Sequence, residues 1–284
     1  RNGVLAPEDP QYLELVRLHR PTLLFLVPTM YQMLLEAQAF AETDLSSVRF
    51  AISGGAPCPA PVREAFRERG VRFKQGYGLT ECGVNCFTFE LEEAERYPES
   101  VGRPMPHLWA RLVREDGKEA GVGEAGELWL SGSVVMKGYF RRPEENEKVF
   151  VWDGERLWLR TGDLAHRDEG GRFYIVGRRK EMFISGGENV YRVEVDRALY
   201  DHPALNEATV GGVPDPRGGE VGAAFVVLRE PLAAEALRAF LKARLAGYKV
   251  PKHLIFLEEL PKTGPGKVQK EALKRLWEEQ HGQA

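Results

Sequence analysis

The first hundred residues alternate short apolar runs with segments whose apolar side chains recur at helical spacing. Leu23–Val27, Val48–Ile52 and Val71–Tyr77 are predicted as buried strands, each bounded by proline, glycine or polar residues. Pro28 is expected to close the first strand, and Thr29 to cap the helix that follows. The predicted helices are 11–20, 30–37 and 61–69. This alternation predicts a mainly parallel, helix-covered sheet whose ligands bind at the carboxyl ends of the strands.

After Val101 the helical spacing gives way to short β-type runs between glycine-rich turns, which predicts a small barrel-like or sheet subdomain packed on the α/β part. A separate α+β domain is predicted after Gly177. Its helices are predicted at 191–200, 233–245 and 271–279, and its strands at 208–213, 221–228 and 254–256. The predicted domains are 1–100, 101–177 and 178–284.

Composition and charge limit the broad classes of protein and of partner that fit this chain. The chain has 284 residues, of which 43% are hydrophobic and 29% charged, as in a globular protein of about two domains. A net charge of −3 does not favour nucleic acid or an anionic membrane as partner, and Leu23–Val27 is too short to span a bilayer. Three cysteines suggest a reducing, cytoplasmic setting. Cys82 and Cys86 could form a metal pair, but their spacing favours small packing thiols.

Short polar motifs follow several of the predicted strands. The chain contains SGGAP at 53–57, YGLTE at 77–81, TGD at 161–163, GRRKE at 177–181 and SGGENVY at 185–191. Farther along it contains GYKVPK at 247–252 and PKTGPGKVQK at 261–270. Taken singly, each motif is most simply a solvated loop, in which glycine permits positive φ or the close approach of a ligand.

Together and in this order, the motifs resemble the adenylate-forming family of acyl-CoA synthetases, adenylation domains and luciferases, over nearly the whole chain. Two positions depart from the family pattern: Lys270 replaces the usual Arg, and Arg192 stands where many members have Pro. The family's phosphate loop, of the YTSGTTGxPK kind, does not occur in this sequence and lies upstream in family members. The resemblance therefore implies a carboxy-terminal portion, inactive without that loop.

The resemblance implies a role for each motif residue. The residues implied to bind the nucleotide are Gly54, Gly55, Ala56, Tyr77, Gly78, Thr80, Asp163 and Arg178. Glu81 would hold Mg²⁺, Lys267 would be the catalytic lysine, and Lys180 would be the hinge between a large domain and a mobile one. The residues implied to bind coenzyme A are Ser185, Gly186 and Gly187. Asp163 suits the two ribose hydroxyls because a carboxylate accepts two hydrogen bonds, and Arg178 suits a forked contact.

The implied function is an acyl-CoA synthetase that uses ATP, Mg²⁺ and coenzyme A to activate a carboxylic acid, with a medium- or long-chain fatty acid favoured. One alternative is an adenylation domain that charges a carrier protein. Such a domain is expected to precede a carrier domain, whereas this chain ends at Ala284. Another alternative is a noncatalytic remnant that has lost the phosphate loop. Whether the protein forms a homo-oligomer is left open.

Overall fold

The computed structural model describes residues 10–215, 219–262 and 268–281. Contacts between residues divide the chain into two compact units, Arg1–Val176 and Gly177–Ala284, which are described separately below. Among the described residues, none of the helices combines the length and the apolar character needed to cross a membrane.

The first unit begins with three parallel strands in the order β1–β2–β3. These strands are β1 (Leu23–Leu26), β2 (Phe50–Ser53) and β3 (Arg72–Gln75). The accompanying helices are α1 (Pro10–His19), α2 (Pro28–Glu36), α3 (Ala60–Glu68) and α4 (Leu91–Arg96). The core holds Tyr31 of α2, whose ring centroid lies 5.1 Å from that of Phe66 and 5.0 Å from that of Phe73. This confirms the prediction of a parallel sheet with helix cover.

The prediction that Thr29 caps α2 was wrong. The residue before the helix is Val27, and no side chain caps the helix there. Pro28 is instead the first helical residue, a position where proline is favoured because its missing N–H has no partner within the helix in any case. Pro28 therefore both ends the strand and begins the helix.

The rest of the first unit is rich in β-structure, as predicted. A two-stranded ladder, β4 (Phe87–Thr88) with β5 (Arg103–Pro104), precedes a five-stranded sheet in the order β10–β9–β7–β6, with β8 paired to β9. The strands of that sheet are β6 (Leu108–Val113), β7 (Gly126–Gly132), β8 (Phe150–Trp152), β9 (Leu157–Arg167) and β10 (Phe173–Arg178), and α5 is Pro143–Val149. Cys82 and Cys86 are free thiols buried in this core with Tyr77 and Phe87.

The second unit has a mixed sheet in the order β12–β11–β14–β13, with β15 paired to β14. Its elements are β11 (Phe183–Ser185), β12 (Glu188–Val190), α6 (Arg192–Tyr200), β13 (Leu205–Pro214), β14 (Glu220–Leu228), α7 (Ala234–Lys242), β15 (His253–Leu257) and α8 (Lys270–His281). Successive residues of β14 point to opposite faces. Ala224 and Val226 join the core under α6 and α7, whereas Phe225 joins the core under α8. The unit thus has helices on both faces of its sheet.

Candidate active site

The glycine loop at 54–56 lies at the carboxyl edge of the parallel sheet, directly after β2. A Cβ added to Gly54 would lie 3.2 Å from the ring of Phe25, and Gly55 has a φ of +83°, which favours glycine. Gly76, which follows β3, donates its N–H to the carbonyl oxygen of Ser53 at 2.8 Å. The glycine loop and the Tyr77 loop therefore leave the sheet side by side.

The YGLTE loop is a tight turn that requires glycine at its second position. A Cβ on Gly78 would lie 2.4 Å from the carbonyl oxygen of Gly83, a distance that real Cβ atoms do not tolerate. The turn is closed by the Leu79 N–H, which donates to that same Gly83 oxygen at 3.1 Å. Thr80 is exposed and Glu81 half-buried, so both can reach a ligand from the tip of the loop.

The TGD motif lies in a bulge of β9. Trp129 of β7 pairs with Arg160, and Glu127 pairs with Leu164, so that Leu128 alone faces three residues of the opposite strand. Extra residues in one strand bend it and redirect its side chains, and such bulges are common beside active sites. The three unmatched residues are Thr161, Gly162 and Asp163.

Each residue of the bulge has a local role. Gly162 has a φ of +72°, in the left-handed region. The Thr161 hydroxyl donates to the Leu128 carbonyl at 2.7 Å, and its oxygen accepts the Asp163 N–H at 3.1 Å. These bonds replace the ladder contacts that the bulge removes. They hold the side chain of Asp163 in the interior, where only 4% of the residue is exposed.

Two of the predicted nucleotide-binding residues meet here. The Tyr77 hydroxyl donates a hydrogen bond to Asp163 Oδ2 at 2.6 Å, although the residues are 86 positions apart in sequence. Burial, and secondarily the charge of Asp163, raises the pKa of Tyr77 well above its usual value, so the phenol remains a donor at neutral pH. The structure thus fixes a buried carboxylate beside the YGLTE loop.

A residue that sequence reasoning missed holds Glu81. The Tyr139 hydroxyl donates to Glu81 Oε1 at 2.7 Å, and this bond raises the pKa of Tyr139 to about 12. Tyr139 is itself held by Asn146, whose Oδ1 accepts the Tyr139 N–H at 2.6 Å. The Met136 N–H donates to the Glu81 carbonyl at 2.7 Å. Gly138, which precedes Tyr139, has a φ of +140°, and no motif in the sequence marks Tyr139.

Glu81 suits the magnesium role that the resemblance implies. Mg²⁺ prefers oxygen ligands and is usually held by one or two carboxylates together with substrate phosphates. The Tyr139 hydroxyl donates to Oε1 of Glu81 and so holds the Glu81 carboxylate in one orientation. No group of three or more His, Cys, Asp or Glu side chains that could hold a metal by themselves occurs in the described part of the chain. A site of this kind would need the phosphates of ATP to complete it.

The predicted residues of the second unit lie at the end of β10 and on two turns that follow it. Arg178 ends β10, and Lys180 lies in the following 3₁₀ turn, Arg179–Glu181, with both side chains exposed. Ser185 is buried, and it pairs with Glu188 across a two-residue turn formed by the predicted glycines. Gly186 and Gly187 have φ values of +63° and +85°, the combination typical of a tight hairpin.

The predicted catalytic lysine, Lys267, lies outside the described residues. The residues on either side of its segment are described. Lys262 and Val268 form an antiparallel bridge, and the Gln269 side chain donates to the Lys262 carbonyl oxygen at 2.6 Å. The Lys262 ammonium also donates to Glu207 Oε1 at 2.7 Å.

Two family models and several known proteins match this chain. A family model described as AMP-binding enzyme matches residues 2–140, and one described as AMP-binding enzyme C-terminal domain matches residues 194–267. A feruloyl-CoA synthase of Amycolatopsis sp is 43% identical over 265 residues, covering 93% of this chain and 53% of the relative. A long-chain-fatty-acid–CoA ligase of Bacillus subtilis (strain 168) is 42% identical, covering 98% of this chain and 49% of the relative.

Solved structures give the same picture. The o-succinylbenzoate CoA synthetase of Bacillus subtilis, in complex with its acyl-adenylate intermediate, matches with a TM-score of 0.82 and 36% identity. The match covers 93% of this chain and 53% of that one. That synthetase has also been solved with ATP and magnesium ion. The present chain spans about half the length of the relatives it matches.

Proposed function

The chain belongs to the family of AMP-binding enzymes, and from that premise we propose that it forms part of an AMP-forming acid–thiol ligase. In the first step, the substrate carboxylate attacks the α-phosphorus of ATP, giving an acyl-adenylate and pyrophosphate. In the second, the thiol of coenzyme A attacks the acyl carbon and AMP leaves. The observation that carries the proposal is the bond between Tyr77 and Asp163, which orients a buried carboxylate beside the YGLTE loop.

The residues of the first unit would bind the nucleotide. Asp163 would accept hydrogen bonds from the ribose hydroxyls. The hydrogen bond from the Tyr77 hydroxyl would keep the carboxylate of Asp163 from rotating. The backbone at Gly54–Ala56 would approach the base closely because two side chains are absent there. Thr80 would contact phosphate and Glu81 would hold Mg²⁺, which when bound neutralises phosphate charge.

The residues of the second unit would act in turn. Lys267 would bridge the carboxylate and the α-phosphate, offsetting the repulsion between the two anions in the transition state. After rotation about Lys180, Lys267 would withdraw, and the hairpin containing Ser185, Gly186 and Gly187 would line the coenzyme A path. Alternation of this kind follows the general behaviour of enzymes whose domains close in different ways around successive reactants.

We propose a medium- or long-chain fatty acid as the substrate. The Bacillus subtilis fatty-acid ligase, at 42% identity, supports this. The feruloyl-CoA synthase is equally similar at 43%, so a panel of acids must include aromatic ones.

The three free cysteines fit the proposed cytoplasmic setting, which is reducing.

The test uses a chimera, termed the joined ligase, in which the amino-terminal half of the Bacillus subtilis fatty-acid ligase precedes residues 1–284. ATP–pyrophosphate exchange is measured across fatty and aromatic acids. Asp163→Asn should lower kcat/KM by about ten- to a hundredfold, because one charged hydrogen-bonding partner of the ribose is lost. Asp116→Asn, in an exposed loop, is the matched control. Exchange that is insensitive to Asp163→Asn would contradict the proposed nucleotide site.

A further inference from the structure

The two positions at which the chain departs from the family pattern meet at one side chain. Lys270 pairs with Oε1 of Glu181, and Arg192 Nη1 donates to Glu181 Oε2 at 3.2 Å. Arg192 and Lys270 are the first residues of α6 and α8. Glu181 ends the turn that carries Lys180. One carboxylate therefore joins the proposed hinge to two helices.

Arg192 is a fixed partner for Glu181. Its Nε donates to Asp196 Oδ2 at 2.9 Å and lies 3.0 Å from Thr209 Oγ1 on β13. Asp196 Oδ1 in turn accepts the Val210 N–H at 2.7 Å. Only 18% of the Arg192 side chain is exposed. A planar guanidinium held at several atoms loses its freedom to move, so Glu181 is attached to the sheet and not to a loose surface chain.

Lys270 ties Glu181 to the other face of the sheet. It begins α8, whose Leu273 and Trp277 are buried in the core opposite the one that α6 covers. The two oxygens of Glu181 are thus used by helices that pack on opposite faces. A rigid-body displacement of either helix would break one of these pairs, and the turn is restrained from both sides.

We propose that Glu181 is a positioning residue that anchors the Arg179–Glu181 turn to the second unit, so that the chain pivots on the amino-terminal side of Glu181. This inference rests on the proposed rotation about Lys180. A hinge needs a few residues that absorb the change in φ and ψ next to residues that stay fixed. Lys180 is exposed, whereas Glu181 is held at both oxygens. The rigid part of the moving unit therefore begins at Glu181.

The first test measures hydrogen exchange on residues 1–284. Glu181→Gln should speed exchange of the backbone amides at 179–185 by about ten- to a hundredfold, since charge-assisted bonds that close the turn are weakened. Exchange in β13 and β14 should not change. Glu207→Gln is the matched control, because it breaks another lysine pair of this unit, with Lys262. Lys270→Arg should keep the wild-type rates. Unchanged exchange in Glu181→Gln, or an equal effect of Glu207→Gln, would overturn the proposal.

The second test separates anchoring from general stability. In the joined ligase, Lys180→Pro should slow thioester formation from supplied acyl-adenylate, because proline fixes φ at the hinge. Adding Glu181→Gln should partly restore that step by freeing residues beyond Glu181 to pivot, and adding Glu207→Gln should not. Failure to restore it would overturn the proposed pivot boundary. If Lys180→Pro alone has no effect, rotation about Lys180 is wrong, and the exchange experiment still decides whether Glu181 anchors the turn.

Discussion

Two tyrosine–carboxylate pairs organise the first unit's candidate site at the residue scale. Tyr77 holds Asp163 in the interior, and Tyr139 holds Glu81 at a half-buried loop tip. In each pair the phenol donates to one carboxylate oxygen. A carboxylate that is oriented before the ligand arrives loses less side-chain entropy on binding, which favours tight nucleotide and metal contacts.

Tyr139→Phe tests this role for Glu81. Loss of the 2.7 Å hydrogen bond frees the Glu81 side chain, so the Mg²⁺ concentration that gives half-maximal nucleotide binding should rise about three- to tenfold, in line with one modest hydrogen bond. Calorimetric titration of ATP at several Mg²⁺ concentrations on the joined ligase measures the shift. Tyr174→Phe is the control, because it removes the same kind of bond, to Asp168 at 3.0 Å. An equal shift in both variants would contradict a specific role for Tyr139.

The sequence predicted the motif residues but not their partners. Tyr77 and Asp163 are each recognisable within a short motif, whereas the bond between them spans 86 positions and depends on how β9 bulges. Tyr139 lies 58 positions from Glu81 in a loop with no motif of its own. Contacts between distant segments are set by tertiary packing, which local pattern does not encode.

At the element scale, an ion-pair cluster fixes helix α4 to the β-rich part of the first unit. Arg103 of β5 binds Glu93 with both terminal nitrogens, at 2.7 and 2.8 Å, and Arg172 adds a third bond at 3.0 Å. Arg172 also pairs with Asp168 at 2.8 Å. The forked geometry suits arginine and carboxylate, and several charges in one network contribute more than isolated surface pairs.

This cluster predicts an acid-sensitive contribution to stability. Hydrogen bonds from Arg103, and then from Arg172, lower the pKa of Glu93 from 4.5 to about 2. Because the folded pKa lies below the unfolded one, the contribution is complete above pH 4.5 and is lost as the pH falls toward 2. Urea unfolding should show that Glu93→Gln lowers the midpoint above pH 4.5 and that the difference from wild type shrinks on acidification.

Glu64→Gln, on the exposed side of α3, controls for the removal of one charge. It should leave the pH profile of unfolding unchanged. A difference between wild type and Glu93→Gln that stays constant at all pH values would show that the carboxylate contributes by packing alone.

The predicted elements match the observed ones within a few residues because apolar runs and their proline or glycine boundaries are local signals. β1, for example, is predicted at Leu23–Val27 and observed at Leu23–Leu26. Thr29 failed as a cap because Pro28 already occupied the first helical position. The bulge in β9 was not predictable from the sequence, because its residues are recognised as extra only when β9 is aligned with its partner strand β7.

At the scale of the whole molecule, each unit has hydrophobic cores of its own, with the division between Val176 and Gly177. The parallel sheet of the first unit is less complete. Leu23, Phe25 and Val27, on and just after β1, are 41%, 52% and 40% exposed. Parallel sheets are ordinarily covered on both faces, and the described residues cover this one incompletely.

Residues 1–284 alone should therefore bind ATP–Mg²⁺ weakly and should not catalyse pyrophosphate exchange. The resemblance to adenylate-forming enzymes implies an upstream phosphate loop that would supply backbone N–H donors to the triphosphate, and the pattern of that loop does not occur in this sequence. Asp163, Tyr77 and Glu81 would remain to contact nucleoside and metal, so binding should fall but not vanish.

Isothermal titration and exchange assays, run side by side on residues 1–284 and on the joined ligase, measure the difference. The isolated chain should also associate at high concentration through its uncovered apolar sheet face, which light scattering detects, and Phe25→Ser should reduce that association. Glu64→Ser, on the exposed side of α3, should not. Tight nucleotide binding with turnover by the isolated chain would mean that another segment of these 284 residues supplies the phosphate donors, and the assignment of the site to this part of the family fold would have to be revised.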